Sequence, residues 1–127
     1  MCGIVGLFLK DKSLEPKLGD MLTDMLITMT DRGPDSAGIA IYGSEADGRT
    51  KLTVQSDAPE EAFDGLDGAL AEALSTDVSI RVIDTHAVLD VPAGKAEEAR
   101  SALAELRPGM RVMSAGDAIE IYKEVGL

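Results

Sequence analysis

The apolar residues of this chain change their spacing repeatedly, and that alternation limits the folds open to it. Residues 3–9, Gly-Ile-Val-Gly-Leu-Phe-Leu, form a short apolar run bounded by turn-prone and charged residues, which fits a buried strand better than a helix. Gly3 and Gly6 within it point to close approach of another backbone. From Pro16 the spacing becomes helical: Leu18, Met21, Leu22, Met25, Leu26 and Met29 share one face, while Lys17, Asp20, Thr23, Asp24 and Thr28 take the other. An amphipathic helix over residues 16–30 is therefore expected, with Leu22, Met25 and Leu26 buried against the strand. Its three methionines read as core filling, the usual role of a flexible thioether at this spacing.

Pro34 ends that helix, because it disfavours a helical Gly33 and cannot continue the hydrogen-bond ladder, while Gly33 can take a positive φ. A shaped loop over residues 31–38 follows. Residues 38–43 and 50–55 read as two strands of a hairpin, with Asp47-Gly48 as turn chemistry between them. Pro59 opens a second helix whose Phe63, Leu66, Leu70, Ala73 and Leu74 share a face. Beyond it come two strand-like runs at Val78–Ile83 and Thr85–Val91, a Lys/Glu/Ala-rich helix near residues 95–107, the break Pro108-Gly109, and a closing strand from Arg111. The expectation is an α+β chain of two parts, residues 1–57 and a small α/β subdomain at 58–127, an extension or insertion within the same domain.

Twelve Lys and Arg stand against 23 Asp and Glu, a net charge of -11. Such a balance repels phosphate, so nucleic acid and anionic membrane surfaces are poor partners for the chain as a whole. No apolar run approaches the roughly 18 residues of a membrane span, and the first ten residues lack a basic region and cleavage pattern, so a cytoplasmic location is expected. Aromatic residues make up only 3%, too few to build a stacking platform for bases or sugars.

Cys2 is the one cysteine and His86 the one histidine. An internal disulfide is therefore impossible, and a Cys/His zinc site lacks ligands. Two readings of Cys2 remain. It can open a buried strand as a small apolar residue. Alternatively, removal of Met1 makes Cys2 the N-terminus, with an amine of pKa about 7.7 to 8.0. That amine can take the proton of its own residue's thiol, directly or through a water, so nucleophile and base come from one residue and His86 is not needed.

Cys2-Gly3-Ile4-Val5-Gly6 and Arg32-Gly33-Pro34-Asp35-Ser36-Ala37-Gly38, with a helix between them and strands after, resemble the class II glutamine amidotransferases, which are N-terminal nucleophile hydrolases. The later segment, from Asp84 through Leu127, resembles the glutamate synthase-like amidotransferase subunit of the N-methylglutamate synthase type, so the resemblance spans the whole chain. The resemblance implies part of an α/β/β/α layered fold, glutamine as substrate, Cys2 as catalytic nucleophile, and Arg32 with the Gly33 backbone shaping the substrate-binding site. It implies no metal and no cofactor on this chain, and a synthase subunit, or the missing C-terminal part of the domain, as partner. The other reading of the 31–38 loop is a helix cap in which Asp35 and Ser36 satisfy local backbone groups. The family also uses a His-Thr-Arg stretch whose arginine clamps the substrate carboxylate, an Asn-Gly pair for the oxyanion, and an Asp for the substrate amine. None of these motifs occurs in the 127 residues, which contain no Asn. The expectation is therefore the N-terminal part of an amidotransferase, the alternative being a noncatalytic binding subunit or an incomplete fragment.

Overall fold

A computed structural model describes residues 2–45 and 47–126. The chain divides into two compact units, Met1–Ala37 with Glu124–Leu127, and Gly38–Lys123. In the first unit the expected strand at residues 3–9 is absent: the segment is irregular, with Ile4 94% and Phe8 85% exposed. A strand exists through its ladder, and no other segment among the described residues pairs with this one. A 3₁₀ turn at Lys12–Lys17 follows, its start capped by the Asp11 carboxylate, which accepts from Ser13 N at 2.9 Å. Pro16 lies inside this turn, and helix α1 occupies Leu18–Thr28.

The apolar face of α1 is the expected one, since Leu18, Met21, Leu22, Met25, Leu26 and Met29 are half-buried and Thr23, Asp24 and Thr28 are exposed. None is fully buried, which corrects the expectation for Leu22, Met25 and Leu26. The cover those residues required was the 3–9 strand, and it does not form. Leu22→Ala is accordingly expected to cost about 1 kcal/mol in this chain rather than the roughly 2 to 5 kcal/mol of a fully buried leucine, read as the shift in urea unfolding. After α1 a 3₁₀ turn at Thr30–Arg32 closes on Gly33, whose N–H donates to Thr30 O at 3.2 Å. Gly33 has a negative φ, -153°, so the left-handed cap considered from sequence is not used.

The second unit holds strands β1 (Ser36–Tyr42, which begins in the first unit), β2 (Arg49–Gln55), β3 (Ser79–Ile83), β4 (His86–Pro92), β5 (Arg111–Gly116) and β6 (Ile119–Val125), with helices α2 (Pro59–Phe63), α3 (Leu66–Leu74) and α4 (Ala96–Leu106). Four strands form an antiparallel sheet in the order β3-β4-β2-β5. Register places Leu52 opposite Leu89 and Ala115, Val54 opposite Ala87 and Val112, and Ile80 opposite Leu89, so one face of the sheet is aliphatic. Against it pack Phe63, Leu66, Leu70, Leu74, Ala99 and Leu103 from the three helices, completing the core. Helices α3 and α4 each connect neighbouring runs of strand in the sequence β-α-β-β-α-β, the split βαβ arrangement of ferredoxin-like folds. The single helix expected after Pro59 is two, because Asp64 is extended and Gly65 sits at φ +63°, a left-handed conformation that suits glycine. Ala73, expected on the buried face, is exposed.

The hairpin expected from residues 38–43 and 50–55 does not form either. Strand β2 lies inside the four-stranded sheet, while β1 pairs with β6 in a separate two-stranded ribbon. Burial accompanies the choice: Leu52, Thr53 and Val54 are 0% exposed, and an interior position gives β2 a ladder on both edges while the helices cover its aliphatic face, which a lone hairpin does not provide. The chain from Arg111 is likewise two strands rather than one, β5 turning back into β6 at Asp117-Ala118. Gly116 permits this turn, since a Cβ there would stand 2.8 Å from Ile119 Cγ2. The sheet therefore draws strands from both sides of residue 57, the boundary expected from sequence, and β2 hydrogen-bonds on both edges to strands from beyond it.

Candidate functional site

In the first unit, Gly3 lies against the end of α1 and the turn that follows. A Cβ on Gly3 would collide with Met29 Cε and stand 3.5 Å from Arg32 Cβ and 3.7 Å from Arg32 Cδ. The residue peptide-bonded to Cys2 thus touches the first residue of the Arg-Gly-Pro-Asp-Ser loop. Sequence places these two motifs 30 positions apart; the helix between them returns the chain to its start. Cys2 is a free, exposed thiol, Arg32 is exposed in its turn, and Gly33 is half-buried. Exposure leaves the thiol accessible to a substrate, and the absence of a side chain on Gly3 is what allows the close approach of Met29 and Arg32. Asp35, in the same loop, accepts from Gly126 N through its carbonyl at 2.8 Å. Met1 falls outside the described residues, as does any consequence of its removal.

In the second unit the face of the sheet away from the helices is polar and buried, a feature that sequence reading missed. Strand β6 crosses it without a strand-to-strand ladder. Ser114 Oγ accepts from Ile121 N at 3.2 Å, His86 Nε2 accepts from Lys123 N at 3.0 Å, and Gln55 Nε2 donates to Lys123 O at 2.9 Å. The role of His86 follows from that geometry. An accepting Nε2 puts the ring proton on Nδ1, which faces Thr85 Oγ1 at 3.1 Å, and the ring stands 5.3 Å from that of Tyr122. The imidazole is a buried group, 3% exposed, that ties β4 to β6. The alternation of Lys51, Thr53 and Gln55 with Leu52 and Val54 was the signal that β2 had a second, polar face.

Glu120 is the centre of that face. One Arg81 amino group reaches both its carboxylate oxygens at 2.9 and 3.0 Å, Tyr122 Oη donates at 2.6 Å, and Lys51 Nζ stands 3.3 Å away. Burial would push the Glu120 carboxyl up, yet the Tyr122 hydroxyl, Arg81 and Lys51 outweigh it and hold the group below the usual carboxylate range. Burial, and after it the hydrogen bond to Glu120 and that group's charge, pushes the Tyr122 phenol up to about 12. Because the folded value for Glu120 lies below its ordinary 4.5, its stabilisation is complete above that pH and is lost as pH falls through the depressed value. Glu120→Gln is expected to flatten the acid limb of the stability profile below about pH 4.5 while lowering stability at pH 7, measured by urea unfolding across pH.

Two open grooves accompany these features. One, of about 410 Å³, is lined by Glu45, Asp47, Arg49 and Asp117 among others, and one of about 400 Å³ by Ser56, Asp57, Glu61, Arg107 and Met110 among others. Neither includes Cys2, Arg32 or Gly33. Among the described residues no cluster of His, Cys, Asp and Glu could hold a metal ion, and no helix is long and apolar enough to cross a membrane.

No family model matches the chain, and no solved structure matches it. Over all 127 residues it is 58% identical to the glutamine amidotransferase-like protein GlxB of Rhizobium meliloti (strain 1021), covering 42% of that protein. Over 43 residues, 34% of this chain and 14% of the relative, it is 56% identical to a protein of Methanothermobacter thermautotrophicus named "Putative glutamine amidotransferase". The chain therefore spans about two fifths of GlxB.

Proposed function

We propose that this chain supplies the nucleophile-bearing part of a class II glutamine amidotransferase of the N-terminal nucleophile type, whose ammonia serves a synthase partner of the N-methylglutamate synthase kind in the cytoplasm. The observation that carries this reading is the contact of Gly3 with Arg32, which brings the Cys2 motif and the Arg32-Gly33 loop into one place. The similarity to GlxB over the whole chain supports it.

In the mechanism, loss of Met1 frees the α-amine of Cys2, which takes the thiol proton. The thiolate attacks the side-chain carbonyl carbon of glutamine, forming an S–C bond, and the tetrahedral intermediate collapses with cleavage of the C–N bond. The ammonium formed on the Cys2 amine returns its proton to the departing nitrogen, which leaves as ammonia. Water, deprotonated by the same amine, then hydrolyses the thioester to glutamate and restores the thiol. Arg32 brings positive charge beside the nucleophile, and the Gly33 backbone shapes the pocket for the substrate. An oxyanion donor and a clamp for the substrate carboxylate are also required. Their usual motifs are not among the 127 residues, so they are supplied by further polypeptide, in keeping with a chain that spans 42% of GlxB.

The first test is the intact mass of the protein recovered from cells. It is expected to lack Met1, and retention of Met1 would rule out the amine as base. The second is ammonia release from glutamine by the purified 127-residue chain, expected at background, since loss of one oxyanion donor alone costs on the order of 100- to 1000-fold. Cys2-dependent turnover by the chain alone would refute the split site. If adding the completing polypeptide restores no turnover, the noncatalytic binding-subunit reading stands instead.

A further inference from the structure

We infer that Gly38–Lys123 is an independently stable domain inserted into the first unit, and that it takes no part in amide cleavage. The second clause rests on the function proposed above. The first rests on where the core lies and where the chain passes. Every residue of the aliphatic core falls between Leu52 and Leu103, and the partly buried residues packed on it extend only to Ala115. The first unit contributes none. A domain of 86 residues with such a core is of a size that folds alone.

The chain leaves the first unit after Ala37 and returns to it at Glu124, and these two crossings are neighbours on either side. Within the second unit, a Cβ on Gly38 would stand 3.5 Å from Tyr122 O and 3.7 Å from Lys123 Cγ. Within the first, Gly126 N donates to Asp35 O at 2.8 Å. Entry and exit strands that sit side by side are what an inserted domain requires, because the host can close over the gap with its own hydrogen bonds. Several charged groups of the insert also have internal duties. Arg81 and Lys51 serve Glu120, Arg49 pairs with Asp90, and Arg107 donates to Ala62 O and Asp64 O at 2.9 and 3.0 Å. Cys2, Arg32 and Gly33 all lie outside it.

The test uses the full chain and its Leu89→Ala variant. Leu89 is 0% exposed at the centre of the sheet, so amides of β2, β4 and β5 should exchange about 30- to 5,000-fold faster in the variant by native-state hydrogen exchange. Amides of Leu18–Thr28 should change by less than about twofold. Equal acceleration in α1 and in β4 would show one cooperative unit and overturn the insertion. The second readout is alkylation of Cys2 by a glutamine-like chloroketone, in which the thiolate displaces chloride from the ketone's methylene carbon. The labelling rate should be the same within about threefold in Leu89→Ala and in Arg81→Ala. A loss of more than about tenfold in either variant would place the second unit in the cleavage site. Labelling no faster than that of a free cysteine peptide in the unsubstituted chain supplied with its completing polypeptide would instead refute the function proposed for Cys2, and hydrogen exchange would still decide the insertion.

Discussion

Cys2→Ala, assayed together with the polypeptide that completes the site, is expected to lower ammonia release from glutamine by at least about 1000-fold. The substitution removes the only thiol in the 127 residues, and the one imidazole, His86, is buried in the second unit and engaged with Lys123 N. Without the thioester, what survives is direct attack of water assisted by binding and by whatever oxyanion donors the site contains. Protein stability should not change, because Cys2 is exposed and the described contacts of the region are made by Gly3. Measuring ammonia release beside thermal unfolding separates the two effects. A variant that keeps more than a tenth of the turnover would show that the nucleophile lies elsewhere.

Leu52→Ala should produce the largest loss of stability. Leu52 is 0% exposed, flanked on the sheet by Leu89 and Ala115 and capped by the helices. Truncating it leaves a cavity between elements that cannot all close on it, at a cost of roughly 2 to 5 kcal/mol. For a domain of this size each kcal/mol lowers Tm by about 4 °C, so a fall of about 8 to 20 °C is expected by circular dichroism. A fall below about 3 °C would mean that the helices relax into the space.

The helical face of α1 was legible because six apolar residues at helical spacing leave one solution, and the break at Gly33-Pro34 was legible from proline chemistry. The GIVGLFL run misled for the same physical reason that makes strands hard to read. Its apolar residues say that something must cover it, but a strand needs a backbone partner, and partners are not encoded locally. The identity of that partner also decided the hairpin. The residues of β1 and β2 were strand-like as read, yet pairing went to β6 and to β4 with β5, because Thr53 and Gln55 had to be buried along with Leu52 and Val54. Of the candidate site, the residue types could be named from sequence, and the approach of Gly3 to Arg32 could not, since it depends on how far the helix carries the chain back. The Glu120 group was invisible for a similar reason: Lys51, Arg81, Glu120 and Tyr122 are spread over 71 positions and meet only through the sheet.

The way β6 is held has a consequence for how the protein behaves in a crowded solution. An open strand edge is a row of free N–H and C=O groups that can recruit a strand from another molecule, the first step of sheet-to-sheet aggregation. On β6, Ser114, His86 and Gln55 occupy the groups such a strand would need, at Ile121 and Lys123. The outer edges of the main sheet are defended differently. Strand β3 is only five residues long and carries Arg81 at its midpoint, and β5 meets β2 through an irregularity at Thr53/Val54 that interrupts a regular register. A chain whose strands come from distant parts of its sequence spends time with those edges uncovered while it folds, and side chains that reach backbone groups close the ribbon's edge without adding another strand to be protected.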